Sequence, residues 1–236
     1  GIQMKENKYD DNIFFQKYSQ MSRSQQGLAG AGEWETLRKL LPDFKDKRVL
    51  DLGCGYGWHC IYAMEHGASS VVGVDISHKM LEVAKEKTHF PQVEYKCCAI
   101  EDVEFPEESF DVILSSLAFH YVADYEILVK KIYRILKSGG KLVFTVEHPV
   151  FTAYGTQDWY YNKKGEILHF PVDNYYYEGK RAAVFLGEKV TKFHRTLTTY
   201  LNTLLSNGFI INHIVEPQPP EYMMDIPGMQ DEMRRP

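Results

Sequence analysis

A glycine-rich turn is the first feature of this sequence that could do chemistry. Residues 49–57 read Val-Leu-Asp-Leu-Gly-Cys-Gly-Tyr-Gly, so that Gly53, Gly55 and Gly57 alternate with larger residues directly after an apolar run. Glycines let the backbone turn sharply and approach a ligand closely, although such a pattern also occurs in a plain tight turn. Asp75 ends the next apolar run, where a carboxylate can accept hydrogen bonds from both hydroxyls of a ribose. This spacing indicates a nucleotide-type ligand at the carboxyl ends of two neighbouring strands.

Two neighbours of the turn narrow the class of ligand. Asp51 stands two residues before Gly53, where a carboxylate can meet an ammonium group or orient the loop. Trp58 occupies the position at which dinucleotide-binding folds carry a further glycine. Because its bulk argues against a pyrophosphate packed on the start of the following helix, the motif argues against a nicotinamide dehydrogenase.

The elements that must position these residues alternate between short apolar runs and amphipathic stretches. This alternation predicts an α/β fold with a doubly wound, mostly parallel sheet and helices on both faces. The predicted strands are 48–53, 70–76, 93–98, 110–115, 141–147 and 209–216. The predicted helices cover 33–41, 77–87, 124–136 and 196–207, with Ser77 and Asp124 as caps and Ile127 on the inward face of the third.

Composition excludes several classes of function. The chain has 236 residues, a formal net charge of -5 and 14% aromatic residues. The acidic balance argues against a broad nucleic-acid footprint, and no apolar run approaches the length of a membrane span. The four cysteines show no CxxC pair, so we interpret them as reduced thiols of a cytoplasmic protein.

Taken in order, the motifs resemble class I S-adenosylmethionine-dependent methyltransferases. The resemblance is strong over about 33–147 and weaker over 195–209. It rests on Asp51-Leu52-Gly53-Cys54-Gly55, on Val74-Asp75-Ile76-Ser77 with Met80, on Glu101-Asp102 followed by Phe105-Pro106, on Ser109-Phe110-Asp111, and on Leu136-Lys137-Ser138-Gly139-Gly140. It implies a Rossmann-like fold and S-adenosylmethionine as cofactor, with S-adenosylhomocysteine as product.

The resemblance also assigns cofactor contacts. It implies that the glycine loop and the end of the fourth strand hold the methionine part, that the end of the second strand holds the ribose and one adenine face, and that a later loop lines the adenine edge. The implied residues are Tyr18, Asp51, Gly53, Cys54, Gly55, Asp75, Ile76, Met80, Ala99, Ile100, Glu101, Ser115, Ser116 and His120. Many relatives carry an aspartate at the position of Ala99, so here Glu101 or the backbone would meet the adenine amino group.

Methyl transfer from a sulfonium needs alignment more than acid–base chemistry. The protein orients a nucleophile, and a base is required only if that nucleophile arrives protonated. His120 follows the fourth strand and has a side chain suited to proton transfer near neutral pH. Lining the pocket, acting as a base and simply orienting its neighbours are all open roles for His120.

Three further polar residues are candidates for the acceptor side. Glu147 and His148 end the fifth strand, and a buried salt bridge or a loop cap is the alternative role for them. Arg195 could clamp a carboxylate or phosphate of the acceptor, or it could tie a surface insertion down. His120, Glu147 and His148 are suitable metal ligands, but no short motif links them, so we expect no metal.

The domain organisation predicted is one methyltransferase domain over 33–236, preceded by a segment at 1–32 that folds over the cofactor, with Tyr18 near the sulfonium. Residues 148–193 interrupt the alternation and are rich in aromatic side chains, so we expect a cap over one end of the sheet. Relatives end with a seventh strand between strands five and six. No apolar run follows 217–220, so we expect either an open slot in the sheet or a final strand outside this sequence.

The function predicted is methyl transfer to O or N of a small-molecule acceptor. The alternatives are an RNA or protein methyltransferase and a non-catalytic S-adenosylmethionine-binding protein. We expect no nucleic-acid partner and no membrane partner, and either a monomer or a homodimer. The sequence does not name the acceptor.

Overall fold

Five parallel strands build the main sheet in the computed structural model, which describes residues 32–236. The spatial order is β3-β2-β1-β4-β5, with β1 at the centre between β2 and β4. The strands are β1 Arg48–Leu52, β2 Ser70–Asp75, β3 Val93–Cys97, β4 Phe110–Ser116 and β5 Leu136–Thr145. The strand order reverses beside β1, which in such sheets marks the ligand crevice at the carboxyl ends of the strands.

Helices cover both faces of this sheet. They are α1 Trp34–Leu40, α2 Trp58–Glu65, α3 His78–Lys87, α4 Tyr125–Ile135, α5 Pro149–Ala153, α6 Leu197–Ser206 and α7 Met229–Glu232. Leu50 and Leu52 point to the core that includes α4 and α6, whereas Val49 points to the core that includes α2 and α3. Because successive strand residues face opposite sides, one strand supplies both cores. The predicted Rossmann-like α/β fold is confirmed.

Local hydrogen bonds start the helices where the sequence predicts. Ser77 accepts from the Met80 amide at 3.2 Å at the start of α3, and Asp124 accepts from the Ile127 amide at 3.0 Å at the start of α4. These bonds satisfy amides that have no partner within the helix. The prediction that Ile127 faces inward is wrong: it is 58% exposed, because Leu128, Val129, Ile132 and Ile135 form the buried face of α4.

The end of α4 also differs from the prediction. The helix ends at Ile135 and β5 starts at once at Leu136, five residues before the predicted strand, so Gly139 and Gly140 lie inside the strand. The β4–β5 register shifts between Phe110 and Val112, and Gly139 has a φ of 78°. The glycines therefore accommodate an irregularity in the ladder.

The predicted sixth strand, 209–216, is wrong. This stretch contains no strand, and Ile210, Ile214 and Val215 are 85%, 57% and 47% exposed. It lines a groove together with β5 and α6. A β-strand is stabilised by hydrogen bonds to a neighbouring edge. Apolar, β-branched composition is insufficient without that neighbour, and in the described residues β5 pairs with β4 alone.

Residues 148–193, which we call the cap segment, fold apart from the main sheet. After α5 they form two antiparallel hairpins, β6 Tyr160–Tyr161 with β7 Ile167–His169, and β8 Gly179–Phe185 with β9 Glu188–His194. The last strand, β9, packs against the turn that follows β4. Phe151 stacks on Phe170, whereas Tyr176 is 85% exposed. The aromatic residues of the cap segment are thus divided between internal packing and surface.

Candidate active site

The glycine turn is a tight backbone cradle at the end of β1. Gly53 and Gly55 have φ values of 79° and 53°, a region that L residues with a side chain adopt at a cost. The amides of Gly53 and Cys54 donate to the Val74 carbonyl at 2.8 and 2.9 Å. A Cβ atom on Gly53 would lie 2.7 Å from the Ala118 Cβ. The turn therefore requires glycine at this position and is fastened to the end of β2.

Asp75 joins the turn to the second strand. Its Oδ2 accepts from the Gly55 amide at 2.9 Å, and its Oδ1 accepts from the Ser77 amide at 2.9 Å. Each carboxylate oxygen can accept more than one hydrogen bond, and the side chain is half-buried rather than enclosed. This arrangement suits a pair of ribose hydroxyls.

Asp51 lies beneath the turn rather than beside it. The residue is 1% exposed, and the Cys60 thiol donates to its Oδ2 at 3.5 Å. Burial raises the pKa of Asp51 to about 7, and the nearby charge of Asp75 acts in the same direction. Of the two roles that the sequence left open, this position favours orienting the loop over direct contact with an ammonium group.

The expected adenine side contains apolar groups packed behind the turn. Met80 is 2% exposed, and its Cε lies 3.2 Å from a Cβ built on Gly55, so Met80 supports the turn from the core. Ile76, Ala99, Ile100 and Glu101 are each half-buried along the ends of β2 and β3. The Glu101 carbonyl accepts from Lys131 Nζ at 2.7 Å, which anchors this loop.

The end of β4 completes the floor of the crevice. Ser115 is 3% exposed and donates to the Leu52 carbonyl at 2.7 Å, so its hydroxyl ties β4 to β1, while Ser116 is half-buried at the strand end. Leu117 has a φ of 52° and donates to both Thr145 O and Thr145 Oγ1 at 3.0 Å. This turn brings Ala118 against Gly53 and places His120 next in line.

These residues fit S-adenosylmethionine. The glycine cradle admits no side chain at Gly53, the Asp75 carboxylate offers acceptors for hydroxyls, and Ile76 and Ile100 offer apolar contact for a base. Tyr18, which we expect beside the sulfonium, lies outside the described residues.

His120 and Glu147 form a buried pair at the carboxyl ends of β4 and β5. His120 is 1% exposed, and its Nε2 lies 3.0 Å from Glu147 Oε1. The Glu147 backbone amide donates to His120 Nδ1 at 3.4 Å. Both ring nitrogens are therefore engaged by one residue, which favours the orienting role of His120 over that of a free base.

Two residues that sequence reasoning missed complete this cluster. Lys192 Nζ donates to Glu147 Oε1 and, at 2.8 Å, to Gln157 Oε1. Gln157 Nε2 donates to Glu147 Oε2 at 2.7 Å. Burial alone would raise the pKa of Glu147, but its interactions with His120, and after them those with Lys192, lower it to about 2. Neither Lys192 nor Gln157 belongs to a motif; proximity to Arg195 in the sequence was the only hint for Lys192.

His148 points away from this cluster. Its Nδ1 accepts from the Val150 amide at 3.0 Å, which caps α5, and its Nε2 contacts the Glu216 carboxylate. His148 therefore joins the start of the cap segment to the stretch that follows α6. This geometry matches the loop-cap alternative that the sequence left open.

Arg195 is bound to backbone carbonyls. Its guanidinium donates to Phe119 O at 3.3 Å, to Ala123 O at 3.1 Å and to Val122 O, and the residue is 6% exposed. It also lies over the rings of Tyr125 and Tyr200, 5.3 and 5.8 Å from their centroids. The guanidinium therefore holds the end of the cap segment against the turn after β4. Of the two roles that the sequence left open for Arg195, this geometry favours tying down the insertion over clamping an acceptor.

The described part of the chain contains neither a metal-site cluster nor a membrane-spanning helix. Among residues 32–236, no cluster of three or more His, Cys, Asp or Glu side chains has the arrangement of a metal site. Over the same residues, no helix combines the length and apolar character needed to cross a bilayer.

The fold and this site together define a Rossmann-like protein that binds a nucleotide-type cofactor at the switch point of its sheet. Comparisons with known proteins make the class specific. Residues 50–144 match the methyltransferase domain family. A solved structure from Listeria monocytogenes, assigned to the S-adenosylmethionine-dependent methyltransferases, is 57% identical, with a TM-score of 0.85 over 89% of this chain and 95% of that one.

Two further relatives bear on the class. An S-adenosylmethionine-dependent methyltransferase from Mesorhizobium loti is 40% identical, with a TM-score of 0.82 over 89% of this chain and 96% of that one. A ubiquinone biosynthesis O-methyltransferase from Coxiella burnetii is 36% identical over 112 residues, which is 47% of each chain. The chain belongs to the S-adenosylmethionine-dependent methyltransferases, and its cofactor is S-adenosylmethionine.

Proposed function

We propose that this enzyme transfers the methyl group to an oxygen or nitrogen of a small-molecule acceptor. The acceptor would lie between the carboxyl ends of β4 and β5 and the cap segment. One observation carries the proposal: the cluster of His120, Glu147, Gln157 and Lys192 lies at these strand ends and combines the main domain with the cap segment. His120 of this cluster follows Ala118 by two residues, and the Ala118 side chain lies next to Gly53 of the glycine turn.

The proposed cofactor site consists of the glycine turn, Asp75, the loop from Ala99 to Glu101, and the end of β4. The bound cofactor supplies an electrophilic methyl group. Gly53 and Gly55 would give room for its methionine part, and Asp75 would accept from its ribose hydroxyls. We assign residues 1–32, with Tyr18, to covering this site, as the resemblance implies.

The protein's own residues would mainly orient the acceptor. His120 is held from both ring nitrogens, so it presents a fixed polar surface rather than a mobile base. Fixed orientation of a nucleophile is sufficient to account for about 7–11 kcal/mol of a barrier. The O-methyltransferase activity of the relative from Coxiella burnetii supports an oxygen acceptor, over the half of the chain that matches.

The test is turnover with isotope-labelled S-adenosylmethionine on a panel of phenols, carboxylic acids and amines. We expect S-adenosylhomocysteine and a labelled O- or N-methyl product, and much less of both with Gly53→Ala. A crystal structure with S-adenosylhomocysteine would locate the acceptor crevice. Tight binding of S-adenosylhomocysteine without turnover across the panel, or labelling of RNA or protein alone, would contradict the proposal.

A further inference from the structure

Lys192 is a buried cation that the cap segment carries into the main domain. The residue is 4% exposed and lies on β9, two residues before the strand ends at His194. Its Nζ donates to Glu147 and Gln157 and lies over the rings of Tyr121 and Phe185, 6.0 and 5.7 Å from their centroids. Burying an ammonium group is costly unless a charge and hydrogen bonds compensate it, and here Glu147 supplies the charge and Gln157 a second acceptor.

The Glu147 carboxylate is contacted by three side chains. Lys192 Nζ donates to Oε1, His120 Nε2 lies 3.0 Å from the same oxygen, and Gln157 Nε2 donates to Oε2 at 2.7 Å. Gln157 also accepts from Lys192, so its amide orientation follows from the two bonds it makes. The carboxylate therefore has one orientation and remains ionised at neutral pH.

The same geometry decides the tautomer of His120. Nδ1 faces the Glu147 backbone N–H, so Nδ1 must supply a lone pair, and Nε2 faces a carboxylate oxygen, so Nε2 must carry a proton. A second proton on Nδ1 would point at another donor. The other groups around the ring are Tyr121, 4.5 Å away between ring centroids, and Arg195, which holds the carbonyls of Phe119 and Val122.

We propose that Lys192, with Gln157, is a positioning residue of the methyltransferase site: it balances and fixes the Glu147 carboxylate, so that His120 is a neutral imidazole with its proton on Nε2. The single positive charge of the cluster then stands on Lys192, in the cap segment, and not on the ring. The inference rests on the proposed function only in assigning His120 to that site.

Removal of the Lys192 ammonium should shift the positive charge of the cluster to His120. In Lys192→Met the Glu147 carboxylate stays buried with His120 as its nearest possible counter-ion, so a second proton on Nδ1 replaces the lost cation, at the cost of the bond from the Glu147 amide. The matched control is Lys189→Met on the same strand, because Lys189 is exposed and has no contact with Glu147.

The experiment is ¹⁵N NMR of the histidine rings at pH 7, with the His120 signals assigned from the spectrum of His120→Asn. In the wild type and in Lys189→Met we expect the widely separated nitrogen shifts of a neutral ring protonated on Nε2. In Lys192→Met we expect two similar shifts, typical of an imidazolium. Lys192→Arg, which retains the charge, should restore the neutral ring.

Several results would overturn the inference. One is a wild-type His120 that is doubly protonated or protonated on Nδ1, and another is a neutral ring in Lys192→Met. If Lys192→Met does not fold, the wild-type tautomer and Gln157→Leu decide. Gln157→Leu leaves the Lys192 ammonium in place, so the His120 ring should stay neutral. The Glu147 carboxylate loses one of its donors and becomes less fixed, which should broaden the His120 signals. An unchanged His120 spectrum would contradict the positioning role of Gln157. No acceptor is needed, so these results are independent of turnover.

Discussion

At the scale of single residues, the site depends on a few positions where only one side chain is compatible with its surroundings. Gly53 is the clearest, because its backbone conformation and the neighbouring Ala118 both exclude a Cβ atom. Asp51 differs, because its carboxylate is enclosed beneath the turn with a thiol as hydrogen-bond partner, so that its ionisation rather than its shape is constrained. A substitution at each of these two positions gives a testable prediction.

Gly53→Ala should weaken binding of S-adenosylhomocysteine at least about tenfold, or about 1.4 kcal/mol, because the new methyl group forces the turn away from Ala118. The control is Gly165→Ala, whose φ of 80° matches that of Gly53 but which has no heavy atom within 4 Å of the added Cβ. Both variants carry a similar backbone penalty, so isothermal titration calorimetry should separate them. Equal affinities would place the cofactor elsewhere.

Asp51→Asn should change how stability depends on pH. The pKa of Asp51 is about 7 in the folded chain, against 3.8 for an unperturbed carboxyl, so between these values the folded state keeps a proton that the unfolded state has lost. Stability from this group therefore falls as pH rises from about 4 to 7. In urea denaturation, the free energy of unfolding of Asp51→Asn minus that of the wild type should increase between pH 5 and pH 7.5.

The control for this measurement is Asp225→Asn, which changes an exposed carboxylate. Its difference from the wild type should be the same at both pH values. A pH-independent difference for Asp51→Asn as well would show that the carboxylate is ionised throughout.

At the scale of elements, the cap segment is attached to the sheet through few but buried contacts. β9 contributes Lys192 to Glu147 at the end of β5, and the residue after β9, Arg195, binds the turn after β4. Within the cap segment itself, Arg181 donates to the Ala153 carbonyl at 2.9 Å and so joins β8 to α5. The carboxyl ends of β4 and β5 are therefore held by the same segment that we propose contacts the acceptor.

Arg195→Lys should destabilise the protein by roughly 2 kcal/mol, because an ammonium cannot reproduce the fork that satisfies three carbonyls. Urea denaturation measures the change, with Arg38→Lys as control, since Arg38 makes an exposed pair with Glu35. Unchanged stability together with lost methyl transfer would instead support a clamp for the acceptor.

At the scale of the whole molecule, one part of the fold lies within the match to the methyltransferase domain family and another part lies outside it. The five strands with α2, α3 and α4 form the floor on which the methyltransferase family binds its cofactor, and the family match covers residues 50–144. The cap segment follows this region in the sequence and has its own small hairpins. We therefore expect selectivity for the acceptor to follow changes in the cap segment.

The net charge of -5 argues at this scale against an RNA substrate. We expect fluorescence anisotropy with a labelled transfer RNA at about 50 mM salt to detect no binding at micromolar protein. The matched control is the same titration with a basic RNA-binding domain. Tight binding that weakens steeply with added salt would contradict the small-molecule proposal.

Much of the fold follows from local interactions, which the sequence determines by itself. Apolar β-branched runs predict β1 to β5, and Ser77, Asp124 and Thr196 cap helices through bonds to amides three residues away. The positive φ of Gly53 and Gly55 is likewise a local property, so the conformation of the glycine turn was predictable. These patterns depend only on residues that are close in sequence, so they predict local structure without knowledge of the tertiary fold.

Tertiary structure alone decided the rest. Lys192 meets Glu147 across 45 residues and His120 meets it across 27, and neither pairing has a periodic signature. The apolar stretch 209–216 is no strand, because a strand needs a neighbouring edge as well as a composition. Arg195 could have bound an acceptor or carbonyls, and the path of the chain brought the carbonyls to it. Buried polar partners are chosen by the packing of distant elements, and a sequence pattern does not encode that packing locally.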